Sequence, residues 1–244
     1  MIRLDKWIAE AARLSRSEAK SFIRAGRITI NGHPVRSGEE KCDPKTDVLQ
    51  LDGVRIGTLL PAHITLMLNK PAGVLSATED RDQTTVLDLL PEEMRRRRAL
   101  FPIGRLDKDT TGLLLISSDG DLAHRLMSPR THVPKRYRAI VDNPLTKEDV
   151  AAFREGITLR DGLHCLPAEL ELPEEPSNPY LGIVTVYEGK YHQVRRMFAS
   201  CGKHVTALHR QSIGSLELDQ SLSPGQWRTV LDEELEKIFA GQEL

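Results

Sequence analysis

No stretch of the 244-residue chain approaches the ~20 consecutive apolar residues that cross a bilayer, and its start, MIRLDKWIAEAARLSRSEAK, lacks the apolar segment of a secretory signal. A cytoplasmic protein with no membrane partner is therefore expected. Cysteine is scarce: Cys42, Cys165 and Cys201 are far apart and form no C-x-x-C pair, which argues against a disulfide framework and against a zinc site. The eight histidines show no metal-ligand spacing, and there is no internal repeat. Excess charge is lacking as well, since the net charge is −1 and by itself points to no partner. What is present, 39% hydrophobic and 28% charged residues, is the balance of an ordinary globular protein. The length fits one large domain or a small and a medium one.

The charge is unevenly distributed. Residues 1–36 carry Arg3, Lys6, Arg13, Arg16, Lys20, Arg24, Arg27 and Arg36 against Asp5, Glu10 and Glu18, so the remainder is net acidic. In LSRSEAKSFIRAG, Ser15 reads as an N-cap, Glu18 as its capping-box partner and Gly26 as the stop of a helix. Arg16, Lys20 and Arg24 then lie at i, i+4 and i+8 as a cationic ridge. Ala19, Phe22 and Ile23 face the other way, where they can pack on Leu4, Ile8 and Ala11 of a preceding amphipathic helix. RITINGHPV follows, alternating apolar and polar residues across Asn31-Gly32, a hairpin signal. A ridge of this kind is either a solvated helix face or a phosphate-binding one. The absence of acidic residues at i±4 favours phosphate.

The stretch RLDKWIAEAARLSRSEAKSFIRAGRITINGHPV resembles the S4 RNA-binding domain, with its R-L-D-x-x-L/I, S-R-x-x-A and closing N-G pattern. The resemblance implies RNA binding without choosing a function. We place this S4-like domain at residues 1–58, with a linker in RIGTLLPAH (55–63) and a second domain over 63–244.

The second domain reads as a series of strands with helices between them. ITLMLNKP ends in a turn at Pro71, and LLLIS (113–117), YRAIV (137–141), ITL (157–159), LGIVTVY (181–187), HVTAL (204–208) and LEL (216–218) follow. Helices are expected in KEDVAAFREG, framed by Thr146 and Asp149, in YHQVRRMFASCG, and in LDEELEKIFA. In the second of these Val194, Met197, Phe198 and Cys201 form one stripe, and His192 and Arg195 project off it. LELPEEPSNPY (170–180) reads as an exposed loop. Arg95–Arg98 reads as a solvated helix end or an RNA contact. The fold class is α+β, with a mixed, largely antiparallel sheet flanked by helices.

In ALFPIGRLDKDTTGLLLISSDG a strand feeds a loop at Gly104 and a second strand leaves it after Gly112, so the loop is clamped at both ends, as a catalytic loop must be. Taken alone, Asp107 and Asp109 could shape the turn through their own backbone. They could also be a metal-binding D-x-D, although no third carboxylate or histidine is placed to complete it.

G-R-L-D-x-D-T-x-G-L-L-L-I-[ST]-x-D-G resembles the signature of the RsuA-type pseudouridine synthases. LNKPAGVLSAT (68–78), SPRTHVPKRYRAIV (128–141) and EGKYHQVRRMFASCGKHVTALHRQSIG (188–214) fall into the same family's pattern in the same order. The resemblance implies that Asp107 is the catalytic aspartate, Tyr137 the tyrosine that stacks on the target base, and Arg195 the cation paired with the aspartate. It implies further that Arg105 and Lys70 contact the substrate, while Arg16, Lys20 and Arg24 bind RNA through the S4-like domain. Asp109 and Ser118 to Gly120 are taken as scaffold. Isomerising uridine within ribosomal RNA involves no redox step and no hydrolysis, so neither cofactor nor metal is implied. The 16S RNA of the small subunit, in a partly assembled particle, is the favoured substrate, 23S RNA the runner-up, and a monomer the expected state. A non-catalytic S4-type assembly factor and a carboxylate-based hydrolase are the readings from other classes. Asp107, Tyr137 and Arg195 together speak against the first, and the lack of a facing second carboxylate against the other.

Overall fold

The computed structural model describes residues 1–239 except Arg13, Lys45, 57–62, Arg98 and 174–177, and the side chains of Arg96, Arg97 and Pro129 are also outside the description. Most of the expected linker is thus outside the described residues. The chain divides into two compact units, Met1–His63 and Ile64–Leu244.

In the first unit, helices Leu4–Ala12 and Arg16–Arg24 pack through Leu4, Trp7, Ile8, Ala19 and Ile23, all buried, onto Ile28, Val35, Cys42 and Leu49. The second helix starts as its capping box demands. The Glu18 amide donates to Ser15 Oγ (3.2 Å) and the Ser15 amide donates to Glu18 Oε2 (2.7 Å). Strands Ile28–Ile30 and His33–Pro34 are joined by Asn31 (φ 51°) and Gly32 (φ 81°), the left-handed pair of a two-residue hairpin. The same sheet continues through Leu49–Leu51 to Val54–Arg55. The hairpin is therefore only the start of a four-stranded sheet, whose other turn, Asp52-Gly53, is also left-handed.

In the second unit nine of the described strands form one sheet. Its path runs Glu169–Glu171, Leu181–Val186, Lys135–Val141, Val205–Ile213, Thr111–Ser117, Thr65–Lys70, Trp227–Thr229. Phe101–Ile103 and Leu216–Glu217 pair beside it. Every pairing is antiparallel but one: Val205–Ile213 meets Thr111–Ser117 in parallel, with only His209 opposite Thr111 and Arg210 opposite Gly112. The two strands touch briefly and diverge, so the sheet has two halves with a junction between them. Gly112 (φ 99°) stands at that contact because a Cβ there would come within 2.3 Å of the Arg210 carbonyl oxygen.

The continuous run LLLI has its explanation in this half of the sheet, which is covered on both faces. Leu113 and Leu115 join Met67, Leu122 and Ile213 in one core, while Leu114 and Ile116 join Leu66, Leu68 and Val86 in another. A third core lies beyond the junction. There Val194, Met197 and Phe198 of helix Gln193–Ser200 and Phe153 of helix Lys147–Glu155 pack on Ala139, Val184 and Leu208.

Some expected elements differ. Ile157–Leu159 is no strand of the sheet: the Cys165 amide donates to Ile157 O and the Leu159 amide to Leu163 O (both 2.8 Å), so the segment folds back on itself around Gly162 while Ile157 and Leu159 stay buried. Glu169–Glu171 is a strand, not loop, and residues 174–177 of that expected loop lie outside the described residues. Helix Gly120–Met127 was not expected, although Asp119 caps it by accepting from the Asp121 and Leu122 amides at 2.9 and 3.0 Å. Strand Trp227–Thr229 was not expected either.

Candidate active site

The loop 104–110 emerges where the sheet divides. At its start Gly104 (φ 72°) lies against Met127, whose Sδ would be 2.8 Å from a Cβ. Leu106 is buried, and Ser76 fixes its backbone on both sides: Ser76 Oγ donates to Leu106 O (2.9 Å) and accepts from the Leu106 amide (3.1 Å). With Leu106 anchored, the next residue, Asp107, must turn out of the core and remains half-buried.

Lys70 fastens the rest of the loop. This lysine is fully buried, and its Nζ donates to the carbonyl oxygens of Pro71 (3.0 Å), Asp107 (3.2 Å), Lys108 (3.0 Å) and Thr110 (2.9 Å). The expectation that Lys70 contacts substrate is corrected: every residue of its strand is buried, and its ammonium is spent on backbone carbonyls. Burial pushes it down to about 8, opposed by the negative charges of Asp109 and Asp107.

The Asp107 carboxylate faces helix Gln193–Ser200. Arg195 Nε lies 3.4 Å from Oδ2, and Arg195 is steadied by donating from Nη1 to Val205 O (3.0 Å). His192 Nε2 lies 3.3 Å from Oδ1. His192 is the N-cap residue and adopts a left-handed backbone (φ 49°, ψ 33°), with its ring stacked on that of exposed Tyr191 at 3.8 Å. Asp107 thus has one cation and one imidazole on its two oxygens, and Thr110 Oγ1 at 3.4 Å completes its surroundings.

A cavity of about 540 Å³ opens beside Asp107. Arg105, Tyr137, His192 and Arg195 line it together with Lys135 and Arg210. Tyr137 touches the cores on both sides of the junction, and its hydroxyl accepts from Arg210 Nη1 at 3.4 Å. Arg105 is exposed at the cavity, where it is available to a ligand. The structure therefore brings Asp107, Arg105, Tyr137 and Arg195 to one place and sends Lys70 behind the loop. Asp109 is exposed and lies outside this cavity. Among the described residues no group of three His, Cys, Asp or Glu is arranged to hold a metal ion, so the D-x-D pair gains no third ligand.

His192, Lys135 and Arg210 were not assigned to the site from sequence. His192 was visible as the i−3 neighbour of Arg195 off the apolar stripe. Lys135 carried only the signal of strand parity, sharing a face with Tyr137 two residues on, and Arg210 lay beyond the expected strand 204–208, which extends to Ile213.

The cationic ridge belongs to the other unit. Arg16, Lys20 and Arg24 are exposed as expected, but the ridge does not lack an acidic partner. Lys20 Nζ lies 3.9 Å from Oδ2 of Asp5, a buried carboxylate that also accepts from Arg3 Nη2 at 2.9 Å. Asp5 comes from the preceding helix, where i±4 spacing cannot reveal it. Of the arginine quartet, Arg95 pairs with Asp88 (2.9 Å), and Arg98 lies outside the described residues.

Residues 64–200 match the family model described as RNA pseudouridylate synthase, and residues 2–48 match the S4 domain model. The chain is 43% identical over 235 residues to a Bacillus subtilis protein named uncharacterized RNA pseudouridine synthase YtzG, covering 96% of this chain and 97% of that one. It is 40% identical over 240 residues to ribosomal small subunit pseudouridine synthase A of Escherichia coli, covering 97% and 100%. A crystal structure described as a pseudouridylate synthase superimposes with a TM-score of 0.67 at 37% identity, over 98% of this chain and 100% of that one.

Proposed function

The chain belongs to the RNA pseudouridylate synthase family, and from that premise we propose that it converts a uridine of small-subunit ribosomal RNA to pseudouridine with Asp107 as the reacting carboxylate. The observation that carries the reading is the Asp107 carboxylate held between Arg195 and His192 at the edge of a cavity lined by Tyr137. Near-full-length likeness to proteins named ribosomal small subunit pseudouridine synthase A supports the choice of subunit, and a ribosomal RNA substrate fits a cytoplasmic enzyme.

The reaction moves uracil from an N1–C1′ to a C5–C1′ linkage, so the enzyme must reach a base inside folded RNA and keep it once detached. Flipping the nucleotide out of its stack costs a few kcal/mol, to which the flat face of Tyr137 and the cavity walls are the counterpart. Asp107 then acts as nucleophile or base, held by Arg195 and His192 in one orientation. The clamped backbone of the loop limits how far Asp107 can move. Arg105, exposed at the cavity, is placed for the phosphates flanking the target.

Tritium release from small-subunit RNA labelled at uridine C5, naked or in partly assembled particles, tests the reading. Stoichiometric release at one site supports it. Release only from large-subunit RNA overturns the choice of substrate, and no release from either overturns the activity.

The ridge gives a separate expectation. Replacing Arg16 and Arg24 together by Ala should weaken RNA binding uniformly across sequences. It should also reduce the slope of log K against log salt by roughly 1.4–1.8, two phosphate contacts' worth. Lys20→Ala alone should change the slope less, because Asp5 already draws on that ammonium. A filter-binding series across salt concentrations measures both. An unchanged slope in the double variant removes the ridge from the RNA interface.

A further inference from the structure

The cavity holds two cations that the reading above leaves unused. Arg210 is 5% exposed. Its Nε donates to Leu113 O (2.7 Å) and its Nη1 to the Tyr137 hydroxyl, but its Nη2 is buried with no hydrogen-bond partner. Lys135 lies on the adjacent strand, two residues from Tyr137, and lines the same cavity, its ammonium making no ion pair or hydrogen bond among the described residues. Burial, with Arg210 beside it, pushes the Lys135 ammonium down to about 8. Neither cation has a carboxylate partner, since Asp107 is engaged by His192 and Arg195.

Leaving a guanidinium N–H buried and unmatched is costly, and such groups in a ligand cavity are matched by the ligand. The ligand part that goes there is the base. The ribose and its phosphates must stay at Asp107, and Tyr137, whose hydroxyl Arg210 holds, is the surface offered to the ring. We propose that Arg210 and Lys135 form an anion subsite for the detached uracil, holding its negative charge between the breaking of one glycosidic bond and the making of the other.

The inference rests on the uridine-isomerising reading and concerns the stage at which the base is free. When N1–C1′ breaks, its electron pair leaves on N1 and is shared with O2 and O4 of the ring, while C1′ bonds to a carboxylate oxygen of Asp107. The ring turns, C5 displaces that oxygen from C1′, the C5 proton passes to water and N1 takes up a proton. Atoms and charge balance over the cycle, and the uracil is anionic only in the middle. Two cations against its oxygens favour that state over the neutral, still-bonded one.

The test compares uridine with 5-fluorouridine at the target position of the same short RNA in single turnover, read as loss of the N-linked nucleoside after nuclease digestion. Fluorine at C5 makes the departing ring a weaker base, so cleavage depends less on the cations. Lys135→Met and Arg210→Lys should each slow the uridine reaction by roughly 10²–10³-fold and the fluorinated one by only about tenfold, with the half-saturating enzyme concentration little changed. Arg210 also braces the Leu113 carbonyl, so Lys135→Met, which removes no internal bond, carries the result if Arg210→Lys melts early. Equal losses on both RNAs in Lys135→Met overturn the anion subsite while leaving the activity standing. No conversion of either RNA by the unsubstituted protein overturns the isomerase reading, and the subsite with it.

Discussion

Asp107→Asn is expected to abolish pseudouridine formation, by roughly 10⁴-fold or more, while leaving RNA binding near that of the unsubstituted protein. The substitution keeps the shape of the side chain and one acceptor oxygen. It also keeps the loop, because what holds residue 107 in place is its backbone: its carbonyl accepts from Lys70 Nζ and from the Thr110 amide (3.0 Å), and neither bond involves the carboxylate. What is lost is the negative charge between Arg195 and His192 and the oxygen proposed to react. The ion pairs are partly exposed, so their removal should change unfolding stability by less than about 1 kcal/mol. Tritium release, RNA binding and thermal melting of the same preparation separate these effects. Turnover retained in Asp107→Asn removes the carboxylate from the reaction, whereas lost binding assigns it to substrate docking.

The sequence pattern put Asp107 on a loop clamped between Gly104 and Gly112 and Arg195 off a helical apolar stripe, while the roles of both came only from the family resemblance. Their mutual approach was not legible, since it depends on two strands meeting in parallel for two residues and then parting. His192 shows the same limit. Its i, i+3 relation to Arg195 is written in the sequence, but the left-handed backbone that turns its ring toward Asp107 is imposed on a non-glycine residue by the surrounding fold. Asp52-Gly53 carried the same turn signal as Asn31-Gly32 and was passed over, although it closes the second hairpin of the first unit. Asp5 was only counted among the three acids of residues 1–36. Its burial beside Arg3 and Lys20 follows only once the two helices pack.

Lys70 is the position where sequence and structure disagree most, and its replacement is the second large effect expected. The family resemblance implied a lysine that contacts the substrate, yet its four partners are carbonyl oxygens on its own turn and on the loop it faces. Lys70→Met preserves most of the volume and leaves those carbonyls dry. It should lower stability by about 3 kcal/mol and kcat by roughly 10²-fold, since an ångström of drift in Asp107 is enough for that loss. KM should move less, because Arg105, proposed for the phosphates, precedes Leu106, whose backbone is anchored by Ser76 and not by Lys70.

The pH dependence separates this clamp from a general packing defect. With Lys70 pushed down to about 8, raising the pH through that value removes its proton, and a neutral amine presents a lone pair to a ring of oxygens. Activity should fall on the alkaline side with a midpoint near 8, and the residual activity of Lys70→Met should lack that limb. Stability moves the opposite way. Between about 8 and the ordinary 10.5 the unfolded chain holds a proton that the folded one has released, so this group's contribution to stability is least favourable below 8 and improves across that interval. An alkaline loss of turnover without a matching fall in melting temperature is therefore the signature of the loop letting go of Asp107. A turnover loss that tracks melting, or an alkaline limb that persists in Lys70→Met, assigns the limb to another group.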